Sequence, residues 1–146
     1  MHIGEACQRD PVTASADDSV RDAAKRMKQL GVGSLIVIDE GRHPIGVVTD
    51  RDVVQRVIRR RRDPDTTTLG EIMSVDIVSV WDRAPLERAF HRMRQNDARR
   101  VITTDDHGRV SGLITADDAL RIISSDLAAI ADVIGAQSPD AAAEPA

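Results

Sequence analysis

At 146 residues, with 41% hydrophobic and 30% charged side chains, the chain has the composition of about one globular domain, and no window approaches the roughly 18 unbroken apolar residues of a membrane span. The opening Met1-His2-Ile3-Gly4-Glu5 lacks the apolar core of a secretory signal, and a single cysteine, Cys7, excludes an intramolecular disulfide framework and a multi-cysteine zinc site, so a reducing, cytoplasmic setting is expected. A net charge of -4 and an aromatic content of 1%, only Trp81 and Phe90, weigh against a nucleic-acid surface of basic patches and stacking platforms.

Residues 3–7 read as a lead-in turn and residues 11–14 as a brief strand. A helix follows, because Ser19-Val20-Arg21-Asp22 has the capping-box form, Val20, Ala23, Ala24, Met27 and Leu30 recur at helical spacing, and Gly31 can end it. Apolar runs at 34–38 and 45–48 flank the polar turn 39–43 and predict a β-hairpin. A second helix is expected from Asp50 to about Arg60, capped by Thr49. Residues 59–68, RRRRDPDTTT, read as a solvated linker whose arginines close an exposed helix end, where positive charge complements the dipole.

The pattern then repeats. Shifted by 66 positions, residues 3–58 align with 69–124 without a gap, with 13 identities in 56 positions and apolar residues in phase. The second copy has a lead-in turn at 69–73, a strand at 77–80, and a helix from Pro85 carrying Leu86, Ala89, Phe90 and Met93. A hairpin at 101–103 and 110–114 follows, then a helix from Ala116 to about Ser124. Each unit is therefore β-α-β-β-α, which is an α+β class. The division is unit 1 at 3–60, linker at 61–68, unit 2 at 69–125, a short helix at 126–135 and a disordered tail at 136–146. In that helix Leu127, Ile130, Val133 and Ile134 form an apolar stripe, suited to core packing or to self-association.

The chemistry-bearing feature is duplicated too. Gly46-Val47-Val48-Thr49-Asp50-Arg51-Asp52 and Gly112-Leu113-Ile114-Thr115-Ala116-Asp117-Asp118 both have the form G-x-x-T-x-x-D at a strand exit and helix start. Free backbone N–H groups at such a turn favour an anion, and a carboxylate can accept two adjacent ribose hydroxyls. One copy alone is ordinary helix-capping chemistry. Two copies in one register point to a pair of binding sites. No catalytic set accompanies them: His2, His43, His91 and His107 fall at no metal-ligand spacing, and Cys7 aligns with Met73, which marks an apolar buried position.

The tandem β-α-β-β-α unit with its doubled G-x-x-T-x-x-D, the TDRD sequence at Thr49 to Asp52 and the joint RDPDTTTLGEIM resemble a pair of cystathionine-β-synthase (CBS) domains, the Bateman module, in its small stand-alone prokaryotic form. The resemblance covers residues 3–124. It implies two pseudosymmetric units packed sheet to sheet, with two clefts that hold adenosine ligands: AMP, ADP, ATP, NAD or S-adenosylmethionine. It also implies that Asp52 and Asp118 hold ribose hydroxyls, that Thr49 and Thr115 contact ribose or phosphate, and that Val12-Thr13 and Val78-Ser79 read the adenine edge. Arg99 and Arg100 would meet phosphate. Their counterparts Gly33 and Ser34 lack charge, and Asp50 would repel a phosphate unless Arg51 or Mg2+ offsets it, so the better-defined cleft is expected in the second unit. Trp81 is expected near that cleft. The expected function is a non-enzymatic nucleotide sensor, a homodimer acting on a separate effector protein, with no membrane association. The rival is a ligand-free dimerisation or docking scaffold, ahead of a nucleic-acid-binding protein resting on Arg59 to Arg62, Arg99 and Arg100.

Overall fold

A computed structural model describes residues 1–136, so the tail expected to be disordered lies outside the described residues from 137 on. In chain order the elements are α1 (Ile3–Ala6), β1 (Gln8–Arg9), β2 (Thr13–Ser15), α2 (Val20–Leu30), β3 (Ser34–Ile38), β4 (Pro44–Thr49) and α3 (Asp50–Val53), which continues as a π-helical turn over Val54–Ile58. Then come α4 (Leu69–Ile72), β5 (Ser79–Trp81), α5 (Leu86–Asn96), β6 (Arg100–Thr104), β7 (Val110–Thr115) and α6 (Ala116–Ala136).

Helix limits follow local chemistry. The Ser19 hydroxyl accepts from Asp22 N–H at 3.1 Å, and Gly31 closes α2 in the left-handed region at φ 64°. Asp97 does the same for α5 at φ 48°, a conformation that Asp tolerates better than most side chains. The first strand of each unit starts two residues later than the sequence suggests. Ile36 N–H and Ile102 N–H bond to the carbonyls of Val12 and Val78, so those two residues already run alongside the sheets without joining a ladder.

Two sheets carry the duplication. One has strand order β2-β3-β4 and the other β1-β7-β6-β5. Parallel β2/β3 and β5/β6 and antiparallel β3/β4 and β6/β7 share one register at the 66-residue offset: Thr13 faces Ile36 as Ser79 faces Ile102, and Ser34 faces Thr49 as Arg100 faces Thr115. The sheets meet through Ile36, Ile102 and Val110, with Ile38, Val47, Ile77 and Leu113 packed around them. Helices cover the other face of each sheet, giving two further cores that contain Met27 and Met93.

The lead-in turns exchange places. Ile3 of α1 is fully buried in the second unit's core, and Leu69 and Ile72 of α4 are buried in the first unit's core. The backbone bonds match: Gly4 N–H to Asp82 O at 2.8 Å mirrors Gly70 N–H to Ala16 O at 2.9 Å. β1 pairs with β7, and Ser74 pairs with Val47 in the mirrored position. Cys7 consequently lies against Gly112 and Met73 against Gly46, and both are half-buried rather than fully enclosed.

Two further expectations change. Residues 61–68 are docked rather than loose: the unpaired N–H groups at the start of α2 bond to linker carbonyls, Val20 to Thr67 at 2.9 Å and Arg21 to Pro64 at 3.0 Å, and Thr67 is buried. The stripe assigned to a separate helix at 126–135 is the distal half of α6, which runs without a break to Ala136. No Pro or strong helix breaker separates Ser124 from Leu127, so the Ala-rich sequence simply propagates the helix.

Candidate ligand cleft

The two motif threonines cap the helices that follow them. Thr49 Oγ1 accepts from Asp52 N–H at 3.1 Å while Asp52 Oδ2 accepts from Thr49 N–H at 2.9 Å. In the second unit Asp118 N–H donates to Thr115 Oγ1 at 3.1 Å, and the Thr115 hydroxyl donates to Asp118 Oδ2 at 2.8 Å. The outer oxygens face arginines on the same helices, Asp52 with Arg56 at 3.7 Å and Asp118 with Arg121. Burial alone would raise the Asp118 carboxyl, but the Thr115 hydroxyl and N–H and the Arg121 guanidinium outweigh it and hold the group below the usual carboxylate range. Both acids, with side chains only 17% and 24% exposed, are thus first of all helix-start residues with internal partners.

A cleft of about 530 Å³ opens where the two sheets meet on the second unit's side. Ile36 and Val47 of the first sheet and Ile77, Ile102 and Leu113 of the second form aliphatic walls, with Val78 beside them. At its rim stand Thr115, Arg99, Arg100 and Asp117. Antiparallel pairing of Arg100 with Thr115 sets that basic and hydroxyl corner, and Ala116 N–H to Arg99 O at 2.8 Å ties Arg99 to the start of α6. Arg99 also faces Asp117 at 3.4 Å, both side chains being about 80% exposed, so the pair is loose enough to exchange for a ligand.

Of the ten residues singled out in the sequence, the cleft brings together Val78, Arg99, Arg100 and Thr115. Asp118 lines a different hollow of about 640 Å³, with Cys7, Gln8, Arg121 and Ile122, on the side where α1 crosses over. Thr13 lines a groove with Asp17, Asp18, Asp39 and Glu40, and Ser79 lines another with Trp81, Arg88 and Arg92. Trp81 therefore faces outward, its indole N–H on Asp106 at 2.8 Å, and not toward the cleft. Thr49 and Asp52 form the mirrored corner of the first unit, Val12 packs against that unit's core, and at the corner Asp50 accompanies Gly33: Asp50 N–H bonds to Gly33 O at 3.0 Å, and the carboxylate lies beside the position that an arginine side chain fills in the other half. Sequence reasoning missed Ser34, Ile36 and Val47, which reach the cleft from the opposite unit. The identity of Ile36 with Ile102 across the repeat was the available signal, since positions shared by both copies face each other at a pseudo-twofold seam.

Among the described residues no three His, Cys, Asp or Glu side chains converge as a metal ion would require, and no helix is long and apolar enough to cross a membrane.

Comparison with known proteins fits this architecture. The CBS domain family matches residues 3–59 and 69–125. The CBS domain-containing protein YhcV of Bacillus subtilis is 33% identical over 116 residues, covering 80% of this chain and 81% of the relative. Uncharacterized protein MK0525 of Methanopyrus kandleri is 31% identical over 122 residues, covering 84% of this chain but only 62% of the relative's length. In structure, the CBS domain pair of protein MJ0100 superposes with a TM-score of 0.74 at 22% identity, covering 86% of this chain and 98% of that one. With the doubled unit, the sheet-to-sheet seam and the family match all in the same residues, the chain belongs to the CBS domain family and is a tandem CBS pair.

Proposed function

We propose that this CBS pair is a non-catalytic regulatory module that takes an adenosine-containing ligand of the AMP, ADP, ATP, NAD or S-adenosylmethionine class into the seam cleft and signals its occupancy to a separate effector protein. The observation that carries the reading is the meeting, in one hollow, of aliphatic walls from both sheets with Thr115, Arg99 and Arg100 at the rim. Aliphatic walls suit a purine that has no aromatic partner, and two exposed guanidiniums suit phosphate. The CBS pair of MJ0100 supports the class, since it was crystallised with 5'-methylthioadenosine and S-adenosyl-L-methionine. In this reading Thr115 contacts the ribose, Asp118, which lines the neighbouring hollow, acts through the 2.8 Å bond that it accepts from the Thr115 hydroxyl, and a Mg2+ ion arriving with ATP balances Asp117. A ligand touching both sheets binds one relative arrangement of the units more tightly than another, which is what an effector would sense.

Calorimetric titration with adenosine, AMP, ATP, NAD and S-adenosylmethionine tests it. Thr115→Ala is expected to weaken binding by roughly 10-fold. Arg99→Ala and Arg100→Ala should penalise ATP more than adenosine. Loss on Asp117→Ala with none on Thr115→Ala would move the sugar contact to Asp117. No binding by any of the five leaves a docking scaffold, and a thermal shift with single-stranded oligomers alone leaves a nucleic-acid binder.

A further inference from the structure

The outermost strands β2 and β5 each border a groove, and the duplication gives the two grooves contrasting charge. Between β2 and α2 the lining includes Asp17, Asp18, Asp39 and Glu40 with Arg26. Between β5 and α5 a groove of about 430 Å³ is lined by Trp81, Arg88, His91 and Arg92 and by no carboxylate. At the 66-residue offset Asp17, Asp18 and Asp22 become Arg83, Ala84 and Arg88. The turn backbone is the same in both units, since Asp18 N–H bonds to Ser15 O at 3.1 Å and Ala84 N–H to Trp81 O at 3.0 Å. In the first unit, however, the Asp18 carboxylate also accepts the Ser15 N–H at 3.0 Å. The equivalent N–H, that of Trp81, faces the outer edge of its sheet: Ile102 N–H bonds to Val78 O and Asp82 N–H to Thr104 O, and alternate residues of a parallel pair turn away from the neighbouring strand. Among the described residues it has no partner, and neither Arg88 nor Arg92 faces a carboxylate. We propose that this groove docks an extended acidic segment of a partner protein, one carboxylate accepting the Trp81 N–H as Asp18 does for Ser15 and others pairing with Arg88 and Arg92.

The groove is set before a partner arrives. Trp81 is 48% exposed but held, with its indole N–H on Asp106 at 2.8 Å and the Arg83 guanidinium 5.9 Å from its ring centroid, and Arg83 itself pairs with Asp106 at 3.1 Å. An apolar platform fixed in this way costs a partner little ordering. Arg92 is steadied by its Nε on Ser79 O at 3.4 Å. Arg88, His91, Arg92 and Gln95 recur at i, i+3, i+4 and i+7, so the basic wall runs about 10 Å along one face of α5, the length of about three residues of extended chain. A free carboxylate fills only part of that length. The nearby acid Glu87 stands about a hundred degrees round the helix from Arg88. A nucleic-acid strand would run past this short wall over a molecule of net charge -4, which repels a long polyanion, whereas a short acidic segment ends where the cations end. The groove shares no lining residue with the seam cleft, so docking does not depend on nucleotide binding.

Trp81 is the sole tryptophan, so its emission reads this groove directly. The test titrates the full chain with blocked ten-residue peptides alternating Glu with Ala or Glu with Thr, and with their Lys-for-Glu counterparts, followed by emission and by calorimetry. Saturable binding is expected with the Glu peptides and none with the Lys peptides. The Arg88→Gln/Arg92→Gln double variant should bind about tenfold more weakly. Ala84→Asp copies Asp18 into the second unit and supplies the Trp81 N–H from within, so it should weaken binding too, with a side chain that the same turn already accommodates in the first unit. Arg94→Gln, outside the groove, should bind as the wild type does. No binding of either Glu peptide overturns the proposal, as does binding that is unchanged in the double variant or in Ala84→Asp. Glutarate binding as tightly as the peptides would overturn it in favour of a site for a free small carboxylate, and tighter binding of a single-stranded oligonucleotide in favour of a nucleic-acid surface.

Discussion

Asp105, in the turn of the second hairpin, has the most perturbed acidity in the described molecule. Desolvation pushes it up, but N–H bonds from Arg109 and His107 and the Arg109 guanidinium at 2.9 Å outweigh that and bring it down to about 2. A folded-state value below the unfolded ~3.9 means that the contribution is present above pH ~4 and is lost as pH falls toward the folded value. Urea midpoints of wild type and Asp105→Asn should therefore differ by a constant amount above pH ~4 and converge as the pH approaches 2. Asp39 holds the matching place in the first hairpin, lowered chiefly by the backbone N–H of His43. At the motif corners Thr49→Ala and Thr115→Ala each remove a helix cap and are expected to cost about 1 kcal/mol in denaturant unfolding. Equal stability of Thr115→Ala and wild type would show that the capping bonds contribute nothing.

Among the elements, the exchanged lead-in turns make the sharpest prediction. A Cβ on Gly112 would come within 2.8 Å of the Gln8 carbonyl as well as against Cys7 and Thr103, whereas the atoms nearest to one on Gly46 all belong to the Met73 side chain. Met73 can move and the β1 backbone, held in the sheet with β7, cannot do so cheaply. Gly112→Ala should thus destabilise by about 1–3 kcal/mol and Gly46→Ala by visibly less. A larger loss at Gly46 would mean that the side chain of Met73 is the stiffer neighbour. These contacts account for two identities of the repeat: Gly4 and Gly70 admit the close approach of Asp82 and Ala16, while Gly46 and Gly112 admit the residues carried in by the other unit's turn.

For the whole molecule, the exchange makes the two units interdependent. Ile3 and Leu69 are each fully buried in the other unit's core, so Leu69→Ala is expected to cost about 2–5 kcal/mol and to lower the single unfolding transition of both sheets together. Calorimetry that resolves two independent transitions would refute this coupling. A ligand in the seam cleft would act on the same linkage, because its walls come from both sheets.

Much of this was legible before folding. The duplication, the β-α-β-β-α order, the caps at Ser19, Thr49 and Gly31 and the apolar phase are local or periodic properties, and helices and strands follow them because backbone hydrogen bonding and burial act over a few residues. What tertiary structure alone decided is which copy each segment serves. The turn at Ile3 and the turn at Leu69 read identically in sequence, yet each completes the opposite core, since the nearest apolar gap in space belongs to the partner unit. The same reason set the cleft: Ile36 and Val47 become its walls only when the second sheet closes over them, and Asp118, one residue beyond Asp117 on a helix, points about a hundred degrees away into another hollow.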